Sequence, residues 1–411
     1  MAEIPKVILL IESSRASGRA LLTGVANFAH YHGPWSFYWE PGDLETDRSS
    51  LKSLNADGII MRDGDLLNEV LALGIPAVVI GHKRKEVAGL INVLTDSPSI
   101  GRMGAEHLIQ CGFKHFAFVG FATHPLESAS WVRVREEHFI KRVRAAGFET
   151  QTYSLATAVA GRNWLRERNT LAAWLQSLPK PVGLMACNDD CGVQVMEACK
   201  SAGIAVPDLI GVIGADNDEI VCGLSNPAMS SVAINFERAG FEAAESLNRL
   251  MQGQKSGSAK IQAPATHIAT RRSTDIVAVS DPALGRALRF IRDHSRQAIG
   301  VGDVAKAAGF SRRALERRFR SEIGVSILAQ IRKARTEQIC KMLVETALPV
   351  SEIAESLGFE DVQHFARYFR AAREISPLAY RKSFGKQTRP SRPQIGDSFS
   401  QSGVTLARKA E

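Results

Sequence analysis

The strongest constraint on the fold is a repeat near the carboxyl end. The stretches "VGDVAKAAGFSRRALERRFR" (301–320) and "VSEIAESLGFEDVQHFARYFR" (350–370) share one plan. Each begins with an apolar–acid–apolar–Ala helix, passes a Gly-Phe turn and continues into a second helix. Gly309 and Gly358 stand where a helix stops on a left-handed residue, which glycine adopts without steric penalty. Ser311 is placed to cap the next helix, and Asp361 takes that position in the repeat. Short helix, glycine turn, short helix is the helix-turn-helix plan.

The second helix of the first unit carries two patterns at once. Leu315, Phe319 and Ile323 recur every four residues, so Leu315 and Phe319 face the first helix of the unit and lock the angle between them. Arg313, Glu316, Arg317 and Arg320 share the opposite face. That face suits a DNA major groove, where arginine grips guanine and glutamate accepts from a cytosine amino group. Arg312 and Arg318 fall to the sides, suited to phosphates. In the repeat the matching stripe is Gln363, Arg367 and Arg370, with His364 beside it and Phe365 and Phe369 behind. Between the units, residues 326–347 predict one helix about 33 Å long at 1.5 Å per residue. A turn of B-DNA repeats at about 34 Å. Such a rod sets two reading helices over successive major grooves.

Charge singles out the same segment. Residues 281–386 carry 20 Lys and Arg against 12 Asp and Glu, while residues 1–280 carry 27 against 29. The formal net charge of +8 therefore arises in about a hundred residues, which points to a polyanionic partner there.

Residues 5–275 have a different texture. Apolar runs such as "KVILLIE", "ADGIIMR", "PAVVIGH", "HFAFVGF", "PVGLMAC" and "LIGVIGAD" alternate with amphipathic helical stretches. That alternation predicts βαβ units and parallel sheets covered on both faces, and the length predicts two lobes with a ligand between them. The stretch 251–260 reads as a surface turn, "HIATRRSTD" as a last strand, 277–285 as a linker and 385–411 as a disordered tail. Cys187, Cys191 and Cys199 lack the pairing of a metal site and read as buried thiols of a reducing compartment. Without an apolar run of membrane length or a basic leader, the chain reads as cytoplasmic, with no membrane partner. Walker, G-x-S-x-G, H-E-x-x-H and G-x-G-x-x-G motifs are missing, so no enzyme, catalytic residue, cofactor or metal is expected.

The segment "VSEIAESLGFEDVQHFARYFRAAREISPLAYRKS" resembles the signature of the AraC-type transcription regulators, down to Ser376, Pro377, Tyr380 and Arg381. That resemblance covers about 282–384. It implies base-reading positions at Arg313, Glu316 and Arg317 in the first unit and at Val362, Gln363, His364 and Arg367 in the second. Val362 departs from the pattern, since it can only touch a thymine methyl. The stretch "ACNDDCGVQVMEACKSAGIAVPDLIGVIGADNDEI" (186–220) resembles instead the effector core of LacI/GalR regulators and periplasmic sugar-binding proteins. Joined in this order, the two parts are similar to the xylose-operon regulators, and "ATRRSTD" followed by "DPAL" extends the likeness across the junction.

The expectation is thus an α/β, two-lobed, periplasmic-binding-protein-like sensor with parallel sheets over 1–276. An all-α domain with two helix-turn-helix units (301–322 and 350–373) follows over 286–384. A neutral polyol needs paired hydroxyl partners at strand ends. Asp216, just past "GVIGA", leads the candidates, followed by Asn188 and Asp189 at the end of the preceding strand. The resemblance adds Arg135 as its ligand arginine, and Asn217 joins the ligand candidates although the family's residue after the carboxylate often caps the following turn. Arg19 and Asp63 lie beyond the first two strands, and Trp131 or Trp164 is a candidate to stack on a sugar ring. The implied partners are operator DNA, a small sugar effector (D-xylose, with another sugar or a nucleoside as the alternative), a second copy of the chain and RNA polymerase. The implied action is activation, with repression as the alternative.

Overall fold

The computed structural model describes residues 4–39, 54–64, 67–81, 86–122, 131–155, 164–254, 260–275 and 282–385. For Trp164, Leu165 and Pro282 only the backbone is described. The tail from 386, most of the expected linker and part of the 251–260 turn lie outside these residues.

Two sheets build the sensor. The first lobe takes β1 (Lys6–Leu10), β2 (Ser36–Trp39), β3 (Gly58–Arg62), β4 (Ala77–Ile80) and β5 (Ile91–Thr95). The second takes β6 (His115–Phe121), β7 (Thr150–Leu155), β8 (Val182–Ala186), β9 (Ile210–Asp216) and β10 (Ser230–Ile234). The chain then returns to the first lobe as β11 (Lys260–Ala263) and to the second as β12 (Ala265–Ala269). The strand orders are β11-β5-β4-β3-β1-β2 and β12-β10-β9-β8-β6-β7. Among the described residues all pairings are parallel but one: β12 runs antiparallel to β10. The expected parallel sheets are corrected at that edge, because the chain enters β12 straight from β11 and crosses between lobes with no helix to reverse it. The short 3-10 turn Arg272–Thr274 follows, and Ser273 and Thr274 are buried beneath the sheet.

Burial on both faces explains why β3, β4, β8 and β9 are almost wholly apolar. Helices α1 (Ala16–His32) and α2 (Leu67–Leu71) cover the first lobe. Helices α3 (Ser97–Gln110), α4 (Trp131–Ala145), α5 (Trp164–Ser177), α6 (Asp189–Ser201) and α7 (Glu219–Leu224) belong to the second. Helix α8 (Phe236–Met251) returns to the first, against α1. The chain therefore passes between lobes three times, at Asp96, Asn235 and Pro264. The crossings are tied together: Asp96 N donates to Ala263 O (3.0 Å) and Asn235 N to Pro264 O (3.0 Å). These three segments are the hinge.

The carboxyl-terminal domain comprises α9 (Pro282–Asp293), α10 (Val301–Ala308), α11 (Arg312–Ile323), α12 (Ile327–Glu345), α13 (Val350–Ser356), α14 (Val362–Arg373) and α15 (Pro377–Phe384). Pro282 opens α9, so the last residues of the stretch read as linker are helical; proline is pre-organised for a first helical position. Two helix-turn-helix units are present, α10–α11 and α13–α14, each turned by a left-handed glycine (Gly309 φ 76°, Gly358 φ 70°). The Ser311 side chain caps α11 by accepting from Ala314 N, and Asp361 caps α14 by accepting from His364 N.

Helix α12 is shared by two cores. Ile327 and Ile331 pack with Leu315, Phe319 and the α9–α10 pair. Ile339, Leu343 and Val344 pack with Phe365, Phe369 and Tyr380. In the middle, buried Arg335 donates through Nη2 to Leu357 O and lies 4.2 Å from the Phe359 ring centroid. The helix has 19 residues, so it is about 28 Å long rather than the expected 33 Å. Ser326 sits outside it as the cap, accepting from Ala329 N, and the last turn ends before Thr346.

Gly101 lets α3 and α4 touch backbone to backbone: a Cβ there would lie 2.2 Å from Arg135 O. Gly101→Ala should therefore destabilise the sensor by about 1–3 kcal/mol, the usual range for overpacking. Gly302→Ala, in a helix with open space around the site, should be neutral or stabilising by up to about 1 kcal/mol. Urea midpoints of the two variants check the contrast.

Candidate effector cleft and nucleic-acid interface

The cleft is organised by Arg135 and Asp216. Arg135 projects from α4 and is 2% exposed. Its Nη1 donates to Cys187 O at the end of β8, its Nη2 lies 3.6 Å from Asp216 Oδ1, and its guanidinium sits 4.5 Å from the Trp131 ring centroid. Asp216 ends β9 with φ 103°, a conformation rare for a non-glycine residue and a place where strain marks a functional end. Burial pushes the Asp216 carboxyl above the usual range; Arg135, Arg62 and Arg15 oppose that shift.

The first lobe faces this pair with its own charges. Arg62, at the end of β3, donates through Nη2 to Ser17 Oγ (3.2 Å), and burial lowers its pKa against the pull of Glu12 and Asp216. The Nε atoms of both Arg62 and Arg135 are buried without a hydrogen-bond partner. Two guanidinium groups near one half-buried carboxylate form a donor–acceptor set suited to a polyol, whose hydroxyls both give and accept. Around the mouth the lobes already touch. Arg15 pairs with Asp190, Ala16 N donates to Asp218 Oδ2 (2.8 Å), and Arg19 Nη2 lies 3.6 Å from the same oxygen. A cavity of about 420 Å³ borders Arg19, Asp216 and Asn217 beside the hinge.

Several expected ligand residues are occupied as braces. Asp189 is 3% exposed, and its carboxylate accepts from Asp218 N (2.8 Å) and Ser231 Oγ (2.6 Å). Gly214 makes room for it, since a Cβ there would lie 2.2 Å from Asp189 Oδ1. Asn188 caps α6 by accepting from Cys191 N (3.0 Å), and its amide reaches Asp190 Oδ2 (3.3 Å). Asn217 accepts from Arg271 Nη2 (2.8 Å). Arg19 donates to Ser13 O and Ser14 O. Asp63 is buried at the end of β3, where its N donates to Ile80 O. Trp131 stacks on Arg135, and the Trp164 side chain lies outside the described residues. Sequence reasoning missed Glu12, Arg15, Arg62, Asp190 and Asp218. A usable signal was present for two of them: Arg62 directly precedes Asp63, and Asp190 completes "NDD" at a strand end.

In the helical domain the exposed faces match the expected stripes. Leu315 and Phe319 are fully buried, whereas Arg313, Arg317 and Arg320 are exposed. Together with Glu316 they line a groove of about 500 Å³. Arg312 shares that groove and donates to Glu316 Oε1 (2.9 Å), which corrects its placement at the side. The i,i+4 spacing brings the two side chains together. Arg318 does lie aside, 4.4 Å from the Phe310 ring centroid. In the second unit Phe365 and Phe369 are buried, while Gln363, His364, Arg367 and Arg370 are exposed with Val362 at 43%.

A periplasmic binding protein-like domain matches residues 105–274, and a helix-turn-helix domain matches residues 304–383. The xylose operon regulatory protein of Escherichia coli strain K12 is 31% identical over 383 residues, spanning 92% of this chain and 96% of that protein. The chain belongs to the xylose operon regulatory protein family. The Haemophilus influenzae protein of that name is 28% identical over 92% of this chain and 98% of its own length. Among solved structures, a xylose-binding transcription activator xylR matches with TM-score 0.59 and 30% identity over 93% of this chain and 99% of that one. A LacI family regulator from Enterococcus faecium with bound ribose shares the sensor fold, at TM-score 0.54 and 18% identity over 67% of this chain and all of that one. The family consists of transcription regulators, which removes the enzyme reading.

Burial, with the nearby Asp216 charge, pushes the Asp189 carboxyl up to about 8. An acid whose folded pKa is raised keeps its proton in the folded state while the unfolded chain has lost it. Sensor stability should therefore fall from pH about 4 to 8 through this group and level off above 8. Asp189→Asn should flatten that slope, read from melting temperatures across pH 5–9.

Proposed function

We propose that this chain is a sugar-responsive, DNA-binding transcription activator with D-xylose as its effector. The carrying observation is the arginine–carboxylate cluster between two lobes, built on buried Arg135 and joined in one chain to a double helix-turn-helix head. The E. coli relative is named for the xylose operon and xylR for xylose binding and activation; the first name supports the sugar, and the second supports both the sugar and this sign of regulation. Arg62, Arg135 and Asp216 hold the sugar hydroxyls, and Asn188, Asp189 and Asn217 fix the loops that carry them. Arg19 and Asp63 belong to the first-lobe wall.

On the DNA side, Arg313, Glu316 and Arg317 read bases in one major groove, with Arg312 orienting Glu316. Gln363, His364 and Arg367 read the next groove, Val362 contacts a methyl, and Arg320 and Arg370 extend each stripe. A homodimer in the cytoplasm places two such heads on a repeated operator, where RNA polymerase is recruited.

Calorimetry with D-xylose, L-arabinose, D-ribose and a ribonucleoside tests the effector. D-xylose should bind most tightly, and Asp216→Ala should lose about 1.5–3 kcal/mol, the range for hydrogen bonds to a charged group. Heat only from the nucleoside or from another sugar would replace the xylose assignment. For the head, Arg317→Ala should cost about 1–3 kcal/mol and relax choice at one base pair. Arg318→Ala should weaken all sequences alike and flatten the salt dependence. Identical profiles for both variants across a mutated operator series would contradict the assignment of faces.

A further inference from the structure

The DNA-binding head grips the sensor at the hinge, and it does so from both sides. Two contacts reach the first lobe. Asn235, at the crossing into α8, donates through Nδ2 to Phe384 O and to Gly385 O (3.3 Å). Arg238, one turn later, donates through Nη1 to Lys382 O (2.9 Å) and to Ser383 O. Two others reach the second lobe just after the crossing at Pro264. Tyr380 Oη donates to Thr266 O (3.1 Å), and His267 Nε2 lies 2.9 Å from Glu345 Oε1 at the end of α12. His267, Thr266 and Tyr380 are buried, so these are packed contacts and not surface pairs of little weight.

The head meets the sensor elsewhere too, since α12 runs against β12. A cavity of about 700 Å³ lies between α3 and β12 on one side and α12, the end of α14 and α15 on the other, with Arg102, His107, Lys333 and Arg373 on its walls. The first unit reaches the second lobe through Lys114, whose Nζ donates to Glu322 O (3.1 Å). Within the head, Arg381 Nε donates to Leu343 O (3.3 Å) and Tyr380 packs on Phe369 and Phe384. Helices α12 and α15 therefore move together.

We infer that the head is docked astride the hinge as a sensor of lobe angle: α15 is held by the first lobe at Asn235 and Arg238, and the head is held by the second at Thr266 and His267. A body bolted to both sides of a hinge fits only one hinge angle. In this structure the docked head coincides with lobes that touch at Arg15–Asp190 and Ala16–Asp218. Docking and lobe closure therefore favour each other, and whatever closes the lobes fixes the orientation of the reading helices. By linkage the coupling is reciprocal: the docked head tightens effector binding by the factor by which effector tightens docking. The inference rests on the effector reading above, and it assigns that regulation to four named residues off the base-reading faces, three of which (Asn235, Thr266 and His267) border the same cavity as Asp216.

The test is a double variant, Asn235→Asp with Tyr380→Phe, in the full chain. Aspartate keeps the cap on α8, where Asn235 accepts from Arg238 N (3.0 Å), but cannot donate to the head. Phenylalanine keeps the ring packing and removes only the hydroxyl. Operator affinity is measured by fluorescence anisotropy with and without D-xylose. The wild type should show a change of about fivefold or more, the lower end of ordinary coupling, and the variant less than about twofold. A variant that keeps the wild-type ratio would overturn the inference. Hydrogen exchange provides a reading that needs no sugar. The variant should exchange faster both in α15 and in hinge segments 232–238 and 263–268. Unchanged exchange in the hinge would overturn the inference even where D-xylose fails to bind, an outcome that calorimetry assigns to the effector reading instead. Arg238→Ala, which touches no core, should reproduce both effects in weaker form.

Discussion

The whole arrangement depends on one helix belonging to two cores. The amino-terminal half of α12 is buried against α11, and its carboxyl-terminal half against α14 and α15. Neither helix-turn-helix unit is complete without it, so the two reading faces cannot drift independently. Buried Arg335 strengthens the centre of the rod. Its guanidinium bonds the carbonyl that ends α13 and lies over Phe359, which ties the glycine turn of the second unit to the shaft. The last turn of the same helix carries Glu345 to His267, so the element that spaces the reading faces also reaches the sensor. Rigidity and communication thus share one segment.

The effector cleft follows a different economy. Three arginines and several carboxylates are gathered between lobes that would otherwise bury a neutral interior. Isolated charges there would be strongly disfavoured by desolvation, so each is paired or hydrogen-bonded as far as geometry allows. The raised pKa of Asp189 and Asp216 and the lowered pKa of Arg62 record the incomplete part of that compensation. On the proposed reading, a polyol with several hydroxyls supplies the missing partners without adding net charge. The positive φ at Asp216 and Asn217 bends the chain so that one carboxylate faces the cleft while the next side chain turns to Arg271.

What was legible in the sequence was local. The repeated helix–glycine–helix plan shows itself in a few residues, because its caps, its left-handed glycines and its four-residue apolar spacing are neighbours along the chain. The buried strands β3, β4, β6, β8 and β9 were legible as unbroken apolar runs. Strands β2 and β7 were not: they are edge strands with exposed, polar or aromatic positions. Strand β10 was hidden because Ser230 and Ser231, polar on paper, are satisfied in the interior by Ser273, Thr274 and Asp189. Asp216 was legible as a strand-end carboxylate. The division of labour between it and Asp189 was not, since both follow the ends of neighbouring strands and only the packed fold decides which one turns inward as a brace. Arg15 meets Asp190 across a cleft that only the closed fold creates, and Arg62 meets Ser17 from a strand far along the chain. The grip of the head on the hinge joins residues that lie far apart along the chain, and nothing in either segment alone points to the other.

The central claim is that a single chain presents two reading helices to successive major grooves along one face of the duplex. Hydroxyl-radical footprinting of the full-length protein on its operator, in the presence of D-xylose, tests that claim most directly. Each subunit should protect two patches whose centres lie about 10–10.5 base pairs apart on the same face. Protection confined to one groove, or patches offset by half a helical turn, would contradict the account.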